Sequence, residues 1–234
     1  QTLAQGRADD VLPDFGETYA TSLGQEYYLG RVWLMSFRRQ VPVFFDPITQ
    51  EYVEDLLYQL AASSELKDRR FSLVVIDDAN INAFAVPGGV VGVNTGLIDK
   101  AQTESQFASV LTHELAHLSQ RHFARGIEAQ KQVSTAAMAG LLAGILLAVG
   151  GSGDAGIAAI AGSQAGAMQT QLRYSRENEQ EADRIGMKNL VNAGLSPLGP
   201  EQMFKIMQST YRGSTPPEFL MTHPLTESRI NDTR

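Results

Sequence analysis

The chain of 234 residues contains no cysteine. Disulfides, a cysteine nucleophile and thiolate-bound zinc are therefore excluded, while the compartment stays open, because oxidising spaces tolerate Cys-free chains as well as the cytosol does. No Lys/Arg cluster offsets a net charge of −7 and a pI near 5.1, so a basic nucleic-acid-binding face is missing. The sequence opens on Gln1 without a basic-then-apolar leader, which fits either a cytosolic chain or one whose leader has been removed. A long apolar run is also lacking. The nearest approach, "TAAMAGLLAGILLAVGG" (135–151), is shorter than the roughly 20 residues a spanning helix needs. It reads as one arm of a buried helical hairpin, with Gly150–Gly156 as the turn and "GIAAIAGSQAGAM" as the return. The other reading is a flap that touches a membrane or an apolar partner.

Hydrophobic residues make up 43% of the chain, enough for a sizeable core in one large or two small domains. Residues 1–16 read as a polar N-terminal arm, and 17–234 as the main domain. A helix is expected from about Glu17 to Gln40. A second starts at Asp46, which can cap, and Pro47, whose missing N–H has no partner in a first turn anyway. Val53, Leu56, Leu57 and Leu60 then form its apolar stripe. "FSLVVIDD" (71–78) reads as a strand, and "INAFAVPGGVVGVNTGLI" (81–98) as strand, Pro-Gly-Gly turn and strand. Thr103 and Gln106 make a capping-box pattern for a long helix expected to run to about Val133. "QLRYSRENEQEADRIGMKNLVNAG" is a further helix, stopped by Gly194 with Pro197 beyond. Another fits 199–212, and "HPLTESRINDTR" ends the chain as a last turn or short helix. The fold class is α+β: mostly helices, with one small sheet.

Three of the four histidines lie in "HELAHLSQRH", residues 113–122. His113 and His117, four apart in a helix, are only about 40° apart around it, so both imidazoles can reach one ion. Zinc suits neutral imidazole and needs a third protein ligand. Glu114 follows the first histidine and stays near enough to take a proton from a water at the metal. His122 lies about 140° round a continuous helix from His117 and reads as structural or solvated. The third ligand should come from "ENEQEAD" (177–183). There Glu179 and Asp183 share a face, one carboxylate for zinc and the other to orient a histidine ring. Spacing alone does not choose among Glu177, Glu179 and Glu181.

"NAFAVPGG" (82–89), "HELAHLSQRH" (113–122) and "ENEQEADRIG" (177–186), in that order along the chain, resemble the gluzincin metallopeptidase family that includes the CAAX prenyl proteases and the heat-shock protease HtpX. The likeness runs from about Asp14 to the end and is strongest to periplasmic members. It implies a zincin-like domain with one zinc ion, whose third ligand is the first residue of an E-x-x-x-D pattern, here Glu179 with Asp183. It also implies that "INAFAVPGG" is an edge strand pairing with extended substrate, so that Asn82, Ala83 and Phe84 line the cleft. A periplasmic location and a C-terminal tetratricopeptide-repeat domain in full-length relatives follow from the same likeness. No 34-residue repeat occurs before Arg234, as expected of a protease domain alone or a shorter relative.

The expected activity is zinc-dependent endoproteolysis, and the resemblance implies unfolded, misassembled or stalled proteins as its substrates. The same resemblance implies outer-membrane assembly machinery as a partner, and neither nucleic acid nor a spanning segment is expected. The competing expectation is a zinc-stabilised, chaperone-like binding module with weak or latent proteolysis. His223, before Pro224, is expected on an extended loop. The family resemblance gives it two opposed roles: hydrogen-bond donor to the oxyanion, with Arg229 as another candidate, or fourth zinc ligand that excludes water.

Overall fold

The computed structural model describes residues 22–129, 176–211, 218–224 and 229. The arm at 1–16, the apolar hairpin at 135–168 and most of the C-terminal segment lie outside the described residues. Helix α1 spans Leu23–Phe37. It starts later than expected because Ser22 and Gln25 close a capping box, each side chain bonding the other residue's main-chain N–H. Helix α2, Pro47–Ala62, starts as its sequence predicts: Asp46 accepts from the N–H of Thr49 at 2.9 Å, and the proline sits in the first turn.

Strands β1 (Ser72–Ile76), β2 (Ala83–Val86) and β3 (Val90–Asn94) form a sheet ordered β1-β3-β2. β1 runs parallel to β3, and β2 antiparallel to it through the Pro87-Gly88-Gly89 turn. Gly88 and Gly89 adopt φ of 85° and 74°, where a side chain is strained. The expected second strand is shorter than drawn, because Thr95–Lys100 is a helix, α3.

Every strand is apolar on both faces because both are covered. Leu73, Val75, Ala83, Ala85, Val91 and Val93 join the core with α2 and the following helices. Val74, Ile76, Phe84, Val86 and Val90 pack instead with Trp33, Leu34 and Phe37 of α1. The sheet thus lies between α1, joined by Phe123, on one face and the helices of the main core on the other, with period-two alternation sorting its residues between the two cores.

Helix α4 spans Glu104–Ser119, capped by Thr103, whose hydroxyl accepts from the N–H of Gln106. The return half of the box is displaced: the Gln106 carbonyl accepts from Gln102 rather than from the cap residue. α4 does not run on to Val133. It stops at Ser119, Arg121 takes φ 50°, and α5 begins afresh over His122–Ala129. The helices α6 (Arg176–Asn192), α7 (Gly199–Thr210) and α8 (Glu218–Thr222) complete the described fold. Gly194, at φ 82°, ends α6 as expected, and the N–H of Leu195 returns to the carbonyl of Leu190.

Candidate metal centre

Phe107, Leu111 and Leu115 anchor α4 in the main core, and this fixes where its polar face looks. α6 crosses that face closely because it carries glycine where the helices meet. A Cβ on Gly186 would stand 3.1 Å from the main-chain nitrogen of His113. Glu179 and Asp183 precede Gly186 by seven and three positions, so the face that packs on α4 delivers both carboxylates to its histidines.

Four buried side chains converge: His113 and His117 from α4, Glu179 from α6, and His223 just after α8. His113 Nε2 lies 3.0 Å from His117 Nε2 and 3.4 Å from Glu179 Oε2. His117 Nε2 lies 3.4 Å from Glu179 Oε1. His223 Nδ1 lies 3.4 Å from His113 Nε2 and 3.0 Å from Glu179 Oε1. Tetrahedral zinc with bonds of about 2.0–2.1 Å sets neighbouring donor atoms about 3.3–3.4 Å apart, so this donor set fits the ion in chemistry and in spacing. His223 departs from the extended loop drawn from its proline. Its N–H bonds the Phe219 carbonyl at 2.8 Å as a helix end, and its ring is buried.

Asp183 Oδ1 meets His113 Nδ1 at 3.0 Å, which suits an orienting carboxylate. Arg229 forks Asp183, Nε to Oδ2 at 2.6 Å and Nη2 to Oδ1 at 2.8 Å. Its Nη1 reaches Glu179 Oε2 at 2.9 Å and the Pro224 carbonyl at 2.9 Å. With Nε and both terminal nitrogens engaged, Arg229 is a buried clamp on the two carboxylates, and the geometry does not give it the oxyanion-donor task the sequence suggested.

Glu114 is fully enclosed. Its Oε2 accepts from the N–H of Ala85 at 3.0 Å, while Oε1 has no hydrogen-bond partner among the described residues and lies 3.4 Å from His223 Nε2. A buried carboxylate oxygen left over beside four metal-type donors is a position for a proton acceptor. Burial pushes the Glu114 carboxyl up, despite the neighbouring histidines. Burial pushes His117 down. On His113 burial acts the same way, but Asp183 and Glu179 outweigh it and lift the ring to about 9. Burial would raise Glu179, yet the charge of His223 and the bonds from the surrounding histidines hold it well below the usual carboxylate range. Asp183 sits at about 2, Arg229 overcoming the burial.

Of the three residues expected to line a cleft, Ala83 and Phe84 do not bring their side chains to this centre. Ala83 lies in the main core, and the Phe84 ring meets Trp33 and Phe37 on the far side of the sheet; Asn82 is buried, and its main-chain carbonyl accepts from the N–H of Asn94. The strand reaches the site through the main chain of Ala85, and among the described residues β2 is an edge of the sheet. Among the three acids that spacing left open, Glu177 is exposed and Glu181 bonds Arg125 at 2.8 Å and His122 at 3.0 Å, which leaves Glu179 with His113, His117 and His223. His122, read as structural or solvated, is buried and contacts His117, because the break at Arg121 turns it back toward that ring.

The motif helix, the acidic helix beside it and the small sheet together define a zincin-like metallopeptidase domain of the gluzincin kind. The chain belongs to Peptidase family M48, which matches residues 47–234, and metallopeptidases of that family use zinc. It is 43% identical over 226 residues to a putative beta-barrel assembly-enhancing protease of Vibrio cholerae serotype O1, covering 95% of this chain and 46% of that protein. It is 38% identical over 228 residues to the beta-barrel assembly-enhancing protease of Escherichia coli strain K12, covering 96% and 47%. The mitochondrial metalloendopeptidase OMA1 of Schizosaccharomyces pombe is 31% identical over 191 residues, 78% of this chain and 51% of that protein. The chain spans about half the length of these curated relatives. No helix among the described residues is long and apolar enough to cross a membrane.

Proposed function

We propose that the chain is a zinc endopeptidase that cleaves misfolded or stalled proteins in the periplasm, in the quality control of outer-membrane protein assembly. The observation that carries the reading is the buried set His113, His117 and Glu179 at ligand spacing, with Glu114 Oε1, which has no hydrogen-bond partner among the described residues, beside it. The substrate class, compartment and link to assembly machinery rest on likeness to the beta-barrel assembly-enhancing proteases.

When bound, zinc polarises the scissile carbonyl and makes the attacking water more acidic. Glu114, steadied through Oε2 by the N–H of Ala85, takes the water's proton on Oε1 and returns it to the leaving amine nitrogen. Asp183 holds the Nδ1 side of His113, and Arg229 fixes Asp183 and Glu179 relative to each other. An extended substrate pairs with the main chain of β2. Glu114→Gln keeps a hydrogen-bonding side chain but cannot accept the proton. It should retain zinc and lose about 10²–10⁴ in casein turnover. Unchanged turnover would sink the mechanism.

A latent form is favoured by one observation: His223 Nδ1 sits among the donors, 3.0 Å from Glu179 Oε1, where it would serve as a fourth ligand in place of water when zinc is bound. His223→Ala should then raise basal casein hydrolysis. A fall would assign His223 to transition-state stabilisation instead.

A further inference from the structure

We propose that His122 and Glu181 form a relay that fixes the ring orientation and tautomer of His117, making His122 a positioning residue of the metal centre. The proposal rests on the metal-site reading above and concerns two residues which that reading does not use.

The two α4 histidines are supported differently. His113 Nδ1 meets a carboxylate directly, Asp183 at 3.0 Å. His117 Nδ1 meets another imidazole, His122 Nδ1 at 2.8 Å, and His122 Nε2 lies 3.0 Å from Glu181 Oε2. A ring that ligates through Nε2 carries its proton on Nδ1. His117 Nδ1–H then donates, so His122 Nδ1 must accept. The proton of a neutral His122 is thereby placed on Nε2, which donates to Glu181. The ionised carboxylate at the end can only accept, so the whole chain has one direction. A separation of 2.8 Å is within the range of a true hydrogen bond and leaves room for a single proton between the rings.

The fold is arranged to make this contact. On an unbroken helix His122 would lie about 140° from His117. Arg121 interrupts the helix at φ 50°, a conformation that an ordinary side chain adopts only when held there. The holding group is Glu26 of α1, whose Oε1 pairs with Arg121 Nη2 at 2.6 Å in a buried ion pair. α5 then supplies Arg125, one turn after His122, and its Nη1 fixes the same Glu181 oxygen at 2.8 Å.

The test measures zinc affinity by competition with a chromophoric chelator, the visible spectrum of the cobalt-substituted protein, and the melting temperature of the metal-free protein as a folding control. His122→Phe fills the space but accepts no hydrogen bond. It should weaken zinc binding about 10–100-fold and shift the cobalt bands. His122→Asn places a carbonyl oxygen near the lost Nδ1 and should recover most of that affinity. Glu181→Ala, at a partly exposed carboxylate, should weaken binding less than His122→Phe does. It decides the matter should the His122 variants fail to fold. A merely structural His122 predicts the opposite ranking, with Phe tolerated and Asn poor. That ranking, or unaltered zinc affinity in both His122→Phe and Glu181→Ala, overturns the relay. An unaltered chain that binds no zinc overturns the metal-site reading itself.

Discussion

Glu179 and Glu181 are two residues apart on one helix, yet Glu179 is 2% exposed among three imidazoles while the Glu181 side chain is 28% exposed beside His122 and Arg125. Glu179→Gln should therefore lower the zinc content of purified protein far more than Glu181→Gln, since an amide is a poorer zinc ligand than a carboxylate. Glu181→Gln keeps an acceptor oxygen for His122. Equal zinc content in the two variants would show that the wrong carboxylate had been chosen. At this scale the sequence was legible where residues sit four apart on one helix, as His113, His117 and the pair Glu179–Asp183 do. It was not legible where a residue's direction depends on a distant partner. His122 is the clearest instance, because the turn that redirects it is held by Glu26, 95 positions away. Phe84 is another: a strand buried on both faces carries no polar alternation to say which side chain faces the site.

Between elements, the contact of α4 with α6 depends on a missing side chain. A methyl at Gly186 would press on His113 at 3.1–3.2 Å and push apart the helices that carry the two halves of the metal set. Gly186→Ala should cost about 1–3 kcal/mol, as overpacking does, and should weaken zinc binding as well. Gly194→Ala is the matched control. Its φ of 82° makes the substitution strained, but a Cβ there meets nothing within 4 Å and stands clear of the site. It should lower the melting temperature and leave zinc affinity alone. Calorimetry with metal analysis separates the two cases, and a Gly186→Ala protein with parental zinc affinity would show that the close approach is not what sets the ligand spacing. The individual elements were largely legible from their ends: Asp46 with Pro47, Thr103 and Gly194 all act where the sequence placed them. The lengths were less so, because Thr95–Lys100 turns helical directly after β3 and α4 stops fourteen residues short of Val133.

For the molecule as a whole, the metal-free state holds two carboxylates toward the anionic form inside the fold, Glu179 and Asp183, beside His113 and Arg229, which are held toward the cationic form. A ligand that binds only the folded state stabilises it by about 4 kcal/mol at a thousand times its dissociation constant. In a chain of this size each kcal/mol moves the melting temperature by about 2–4 °C. Stripping zinc with a chelator should thus lower the calorimetric midpoint by roughly 8–16 °C, and adding zinc back should restore it. An identical midpoint with and without metal would mean that the centre does not hold the ion tightly. The chain has four histidines, and all four are buried at this centre. Every imidazole resonance in a magnetic-resonance spectrum of the protein is therefore a reporter on metal occupancy. The single tryptophan, Trp33, lies across the sheet against Phe84, and its fluorescence follows the opposite core. The protein thus carries two native probes, one on each side of the sheet, and loss of metal can be told apart from loss of fold without attaching a label.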